Sequence, residues 1–303
     1  MAIFIDGEAG TTGLEIRDKL AGVSGIELLS LAPEARKDPA AKRKVYADAD
    51  VVILCLPDEA AKEAAKLIDE MGDDAPRVID ASSAHRVAEG WAYGFPELID
   101  GQAEAVANAR KVSNPGCHAT GAIAVLRPLV EAGVLPKNAN AAIWSVSGYS
   151  GGGKSMIEAY ERGKAPPFEL YALGLEHKHM PEIELYSGLS ARPIFLPSVG
   201  AFRQGMLVSV PLFLDALSGK PSPADLRAVY AKHYAGRKHF HISAAAHDNQ
   251  RLEPESLNGT NDIEICVFAN EPRRQSLVVA KFDNLGKGAS GAAVQNLMLM
   301  LGR

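Results

Sequence analysis

The sequence predicts an α/β chain: a doubly wound, largely parallel sheet followed by an α+β part built on a mixed sheet. Three observations carry this. Short β-branched runs alternate with helical patterns through the first third of the chain. A glycine-rich turn joins the first of those runs to the first helical pattern. Several extended, partly alternating runs with one helical pattern among them fill the last third. At 303 residues, 47% hydrophobic and a net charge of -5, the chain is long enough for one large core or two ordinary ones.

Taken in order, Ala2 to Ile5 read as a strand, and Leu14, Ile16 and Leu20 mark the apolar stripe of a helix. Between them "GEAGTTG" places Gly7, Gly10 and Gly13 in a G-x-x-G-x-x-G spacing. Strand, glycine turn and helix form a setting in which backbone N–H groups and a helix dipole hold a pyrophosphate; the alternative is a tight turn needing positive φ. Gly7, Gly10, Thr11, Thr12 and Gly13 are the candidate cofactor contacts there. The second strand, "GIELLSLA", ends near Ser30 with no acidic residue at its tip, while Ser30, Arg36 and the "KRK" of 42–44 follow. A hydroxyl and a cation suit a 2′-phosphate better than a free diol, which favours NADP over NAD; otherwise these basic residues are a solvated face. "ADVVILCLP" is almost wholly apolar, as a strand buried on both faces should be, with Cys55 inside it as a core residue and Pro57 at its end. "DEAAKEAAKLIDEM" is a helix, and "RVIDASSAHR" a further strand leading into a serine-rich loop with Ser82 and Arg86. Together these elements define a Rossmann-type domain.

In "SNPGCHAT", Asn114 is placed to cap a helix, Pro115 to sit near its first position and Cys117 to fall in its first turn. Unpaired N–H groups and the dipole stabilise a thiolate at such a place. Cys117 is therefore either a nucleophile or a small core residue at a helix start. "SVSGYSGGGKS" (145–155), after the strand "NAAIWSV", presents Ser147, Gly148 and Ser150 to an oxyanion or phosphate, or else serves as a hinge. "EHKHMPEI" sets His177 and His179 just before a helix start, where a dipole keeps an imidazole neutral and fit for acid–base work. The H-x-H spacing lacks a third ligand, so no metal is expected.

The last third supplies the strand runs "RPIFLPSVGAFRQGMLVSVPLFL", "HFHISAAA", "NDIEICVFAN" and "RRQSLVVAKFDN", with the helix "SPADLRAVYAKHY" among them. Cys266 alternates into a strand core, His239 and His241 share a strand face in surface or packing roles, and Met298–Met300 belong to core packing. No cationic leader or long apolar run is visible, and no Lys/Arg-rich run offers a surface for nucleic acid or membrane. Cysteines 55, 117 and 266 form no disulfide framework, which fits a cytoplasmic chain.

"GEAGTTG", "DASSAHR", "GFPEL", "SNPGCHAT", "SGYSGGGK", "EHKHMPEI" and "NLGKGASGAAVQNLMLM", in that order, resemble the shorter branch of the N-acetyl-γ-glutamyl-phosphate reductase family, in the aspartate-semialdehyde dehydrogenase-like group. The matches run from residue 6 to residue 300, and the cysteine, histidine and C-terminal boxes are specific. Departures from the longer branch are the glycine turn itself, the run Gly151–Gly153 and His85. The resemblance implies NADPH-dependent reduction of N-acetyl-L-glutamyl 5-phosphate to the 5-semialdehyde and phosphate, a step of arginine biosynthesis, through a thioester on Cys117. It implies a catalytic histidine in "EHKHMPEI"; His179, nearer the helix mouth, is preferred, with His177 the second choice. His118, about 100° around the helix from Cys117, is not expected to be the base. Arg86 resembles the arginine that meets the substrate phosphate, with Asn114, Ser147, Gly148 and Ser150 lining the pocket. Ser30, Arg36, Pro57, Ser82, Asn284, Lys287 and Gly288 complete the cofactor contacts. The implied domains are 1–116 with 284–303 (NADP binding) and 117–283 (catalysis and oligomerisation), in a homodimer or homotetramer acting on a small acyl phosphate. Competing readings are a reductase of another acyl phosphate, aspartyl or aminoadipyl, and a Rossmann-type binding protein without turnover.

Overall fold

A computed structural model of the protein describes residues 1–243 and 251–303. These form two compact units: 1–96, 101–115 and 289–303 in the first, 97–100 and 116–288 in the second.

The first unit contains β1 (Ala2–Asp6), α1 (Thr11–Leu20), β2 (Glu27–Leu29), α2 (Pro39–Asp48), β3 (Val51–Leu54), α3 (Asp58–Asp69), β4 (Arg77–Asp80), β5 (Ala92–Tyr93), α4 (Gln102–Asn108) and β6 (Lys111–Ser113). The strands lie in the order β2-β1-β3-β4-β6-β5, and every pair is parallel. Because successive side chains alternate between faces, each central strand feeds two cores. Ile3, Ile5, Val51, Ile53, Ile79 and Val112 pack with Ile16 and Leu20 of α1 and Val106 of α4. Phe4, Val52, Leu54 and Val78 pack on the other face with Tyr46 of α2 and Ala64 and Ile68 of α3. Helix α2 carries the "KRK" run, and Cys55 lies one residue beyond β3 rather than inside it.

The second unit contains α5 (Cys117–Glu131), β7 (Ala142–Gly148), α6 (Gly153–Glu161), β8 (Phe168–Leu170), α7 (Met180–Ser187), β9 (Ile194–Gly200), β10 (Met206–Phe213), α8 (Pro223–His233), β11 (Phe240–Ile242), β12 (Ile263–Asn270) and β13 (Gln275–Phe282). The chain then returns to the first unit as α9 (Gly291–Met300), whose Ala293, Leu297 and Met300 join its core. The second sheet runs β11-β12-β13-β10-β7-β9-β8 and is mixed: β7/β9 and β11/β12 are parallel, the rest antiparallel. Helix α5 packs on β10 and β13, and α8 on β12. Cys266 is buried in β12, as its alternation predicts. His239 and His241 both reach the Asp262 carboxylate, at 3.0 and 3.5 Å. Of the run 239–246, Phe240–Ile242 is strand, and 244–246 lie outside the described residues. Part of the expected loop 145–155 is ordered differently: β7 extends to Gly148, and α6 begins at Gly153.

Candidate active site

In the first unit the glycine turn follows β1, which sits where the sheet order reverses between β2 and β3, the place at which doubly wound sheets bind nucleotides. Gly7 adopts φ +90°, and a Cβ there would fall on the Cys55 carbonyl. A Cβ on Gly13 would lie 2.5 Å from the Gly7 carbonyl oxygen and 2.8 Å from the Glu8 Cα. Gly10, extended, caps α1, and Thr11 and Thr12 open its first turn. The loop is thus a cradle that side chains would fill, and its residues fit a dinucleotide. Around it, Pro57 is the N-cap of α3. Ser82 donates through both its N–H and its hydroxyl to the buried Asp80 carboxylate, each at 2.8 Å. His85 reaches the same carboxylate at 2.6 Å and stacks on Trp91.

Ser30 and Arg36 do come together at the tip of β2, and an acidic residue is there with them. The Glu8 carboxylate accepts from Arg17 Nη1 at 2.6 Å, from Arg36 Nη2 at 2.7 Å and from Ser30 Oγ at 3.1 Å. Reading the tip from its own strand missed Glu8 and Arg17, which arrive from the glycine turn and α1. Of the basic run, Lys42 is tied to the buried Asp6 at 2.7 Å.

Arg86 is buried, not solvated, and its Nε donates to the Asn114 carbonyl at 3.0 Å. Asn114 does not cap α5. Its Nδ2 donates to the Ala289 carbonyl and its Oδ1 accepts from Asn296. A residue before proline is pushed to extended backbone, so the helix starts later, with Gly116 as N-cap and Cys117 as its first residue.

In the second unit, Cys117 opens the fifteen-residue helix α5. A Cβ on Gly288 would approach its Cβ to 2.9 Å, so glycine is required there. The Gly116 N–H donates to Glu182 of α7 at 3.1 Å, a carboxylate only 1% exposed that ties the two helix starts together. His179 is the N-cap of α7 and buried; its backbone N–H donates to His177 Nδ1 at 3.1 Å. A backbone N–H cannot accept, so neutral His177 carries its proton on Nε2. The His177 and His179 rings lie 4.6 Å apart, and both stand within 5.7 Å of the His118 ring. His118 is held by the Ser145 hydroxyl at 2.6 Å and the Tyr171 hydroxyl at 2.9 Å. Burial first, then the electrostatic influence of the neighbouring His177 ring and the Lys178 ammonium, pulls its pKa down to about 3, so it is neutral. Burial and the Cys117 charge push the Tyr171 phenol up, which keeps it protonated. Tyr171 and Glu182 were not read as site residues from sequence, although Glu182 lies within the "EHKHMPEI" box.

The serine loop and the C-terminal box also meet in this unit. Asn284 donates to the Ser150 hydroxyl at 2.9 Å and accepts from the Gly205 N–H at 2.7 Å. Ser147 donates to the Gly148 carbonyl, and a Cβ on Gly148 would strike the Arg203–Gln204 backbone. Lys287 is almost wholly buried, with its ammonium on the Glu97 carboxylate at 2.7 Å. Burial lowers the Lys287 pKa while Glu97 opposes that shift.

Family models described as "Semialdehyde dehydrogenase, NAD binding domain" and "Semialdehyde dehydrogenase, dimerisation domain" match residues 8–109 and 117–284. The chain is 51% identical to N-acetyl-gamma-glutamyl-phosphate reductase 2 of Pseudomonas putida, covering 99% of this chain and 96% of that protein. It is 52% identical to the N-acetyl-gamma-glutamyl-phosphate reductase of a Chelativorans species, covering 99% and 97%. Among solved structures, aspartate semialdehyde dehydrogenase from Francisella tularensis superposes with a TM-score of 0.75 at 13% identity over 100% of both chains. Aspartate semialdehyde dehydrogenase II from Vibrio cholerae gives 0.73 at 14% identity, over 99% of this chain and 98% of that one, so the two structures share the fold. The cysteine that opens α5, the histidine pair at α7 and half-identity to these reductases along the whole length lead to one family: the chain belongs to the N-acetyl-γ-glutamyl-phosphate reductases, within the semialdehyde dehydrogenases.

Proposed function

We propose that the protein reduces N-acetyl-L-glutamyl 5-phosphate to N-acetyl-L-glutamate 5-semialdehyde and phosphate with NADPH, a cytoplasmic step of arginine biosynthesis. The observation that carries this is Cys117 as first residue of α5, with His177 and His179 at the start of α7, in a chain of this family. The Cys117 thiolate attacks the acyl carbon; the C–S bond forms as the C–O bond to phosphate breaks. When bound, NADPH supplies the hydride that reaches the thioester carbonyl carbon. The tetrahedral oxyanion then expels the Cys117 thiolate, and the aldehyde leaves. Sulfur suits both demands, because it attacks well and departs well.

Neutral His177 has only Nε2–H to offer, which makes it a hydrogen-bond donor to anionic oxygen. His179 is the acid–base residue that manages the phosphate and oxyanion protons. Arg86, Asn114, Ser147, Gly148 and Ser150 contact the substrate, Arg86 meeting its phosphate. Gly7, Gly10, Thr11, Thr12, Gly13, Ser30, Arg36, Pro57, Ser82, Asn284 and Gly288 contact the cofactor, and Lys287 holds the Gly288 loop through Glu97. The thiol state of all three cysteines supports a reducing compartment.

The reverse reaction tests the assignment. Wild-type protein reduces NADP⁺ with N-acetylglutamate semialdehyde only when phosphate is present. Cys117→Ala abolishes this, and His179→Ala slows it about 10²–10⁴-fold. Undiminished turnover in Cys117→Ala overturns the mechanism, and use of aspartate semialdehyde in place of the acetylated compound overturns the substrate.

A further inference from the structure

We propose that Glu8 sets the cofactor preference of this enzyme, competing with the 2′-phosphate of NADPH for Arg17, Arg36 and Ser30. The proposal rests on NADPH as cofactor. Three donors converge on one carboxylate: Arg17 Nη1 at 2.6 Å, Arg36 Nη2 at 2.7 Å and Ser30 Oγ at 3.1 Å. Arg17 Nη1 also reaches Ser30 Oγ at 2.9 Å, so the four groups form one knot. The Glu8 side chain is 11% exposed, while the two arginines remain 41% and 38% exposed. Arg36 keeps a further donor, because its Nε–H is buried without a hydrogen-bond partner among the described residues.

The position of the knot gives it a function. Ser30 is the first residue beyond the carboxyl end of β2, and Glu8 follows the first glycine of the turn after β1. In a doubly wound sheet the adenosine ribose lies over this edge, where an acidic residue accepts from a 2′-hydroxyl and an arginine receives a 2′-phosphate. This chain carries both kinds of residue on the same spot. Two guanidinium charges and one carboxylate leave a net single positive charge. A phosphate dianion placed there meets two favourable cations and one adverse anion, so Glu8 must give up its partners before both arginines can turn to the phosphate. A free 2′-hydroxyl, by contrast, donates to Glu8 and leaves the knot intact. Glu8 therefore narrows the preference for NADPH over NADH, and Arg17 is a phosphate ligand that the strand tip alone does not reveal.

Calorimetric titration with 2′,5′-ADP and with 5′-AMP separates these terms without any turnover. Glu8→Gln keeps the shape and removes the charge: 2′,5′-ADP binds about tenfold more tightly than to wild type, and 5′-AMP no more tightly. Arg17→Ala weakens 2′,5′-ADP about tenfold and leaves 5′-AMP unchanged. Equal or weaker binding of 2′,5′-ADP by Glu8→Gln overturns the proposal while leaving the NADPH reading in place. If 2′,5′-ADP binds neither wild type nor variant, both fall together.

Discussion

His118 adjoins Cys117 in sequence, yet its ring is committed to Ser145 and Tyr171. A neutral imidazole has one donor and one acceptor nitrogen, and these two hydroxyls occupy both. The ring is kept neutral, with a folded pKa near 3 against an ordinary value of 6.5, and that difference makes stability depend on pH. Between these values the unfolded chain binds the extra proton, so the His118 contribution is complete above pH 6.5 and is lost as pH falls toward 3. The slope reaches about 1.4 kcal/mol per pH unit. Urea unfolding of wild type and His118→Gln at pH 7, 6 and 5 measures it: the stability gap between them narrows as the solution is acidified. A gap that does not change with pH refutes the neutral buried ring. Residues of this kind were partly legible. Cys117, His177 and His179 announce themselves by type and by position at helix starts. Glu8 meets Arg36 across 28 residues and His118 meets Tyr171 across 53, separations at which no local pattern links two side chains.

At the scale of the element, α5 has to seat Cys117 while lying against β10 and β13. Gly121 makes the close approach possible: a Cβ there would come within 2.5 Å of Val208 Cγ2 and 2.8 Å of Phe282 Cε1. Glycine costs a helix interior about 1 kcal/mol relative to alanine, so on propensity alone Gly121→Ala should stabilise. Overpacking costs about 1–3 kcal/mol and points the other way. Gly121→Ala is therefore destabilised, and adding Val208→Ala recovers part of the loss, a coupling that denaturant unfolding of the two singles and the double reads directly. Elements with a strong pattern, such as β1, β3, α3 and α8, were legible in the sequence. Helix α6 was not, because it opens on the last of three consecutive glycines, Gly151–Gly153, a run that reads as loop. Helix α2 was hidden for a different reason: its "KRK" reads as a charge cluster, whereas Lys42 turns inward to Asp6.

In the second unit, α5 and α8 pack against one face of the sheet, and strand alternation puts a second apolar set on the other. In β10, Met206, Val208, Val210 and Leu212 are buried, while Phe213 is 68% exposed. Trp144 of β7, Ile194 of β9 and Leu277 of β13 are exposed as well. Large apolar side chains gathered on one sheet face mark an association surface. This region lies within residues 117–284, which match a family model described as a dimerisation domain, and the exposed apolar side chains lead us to predict that a second copy of the chain covers this face. Light scattering behind size exclusion should therefore give a dimer or tetramer of the 32.2 kDa chain. Trp144→Glu combined with Phe213→Glu places charge on that face without touching Cys117, His177 or His179, and shifts the protein to a smaller species. A wild-type monomer at micromolar concentration refutes the assignment. So does a double variant that keeps the wild-type mass, because an interface built on this face cannot bury two carboxylates without losing affinity.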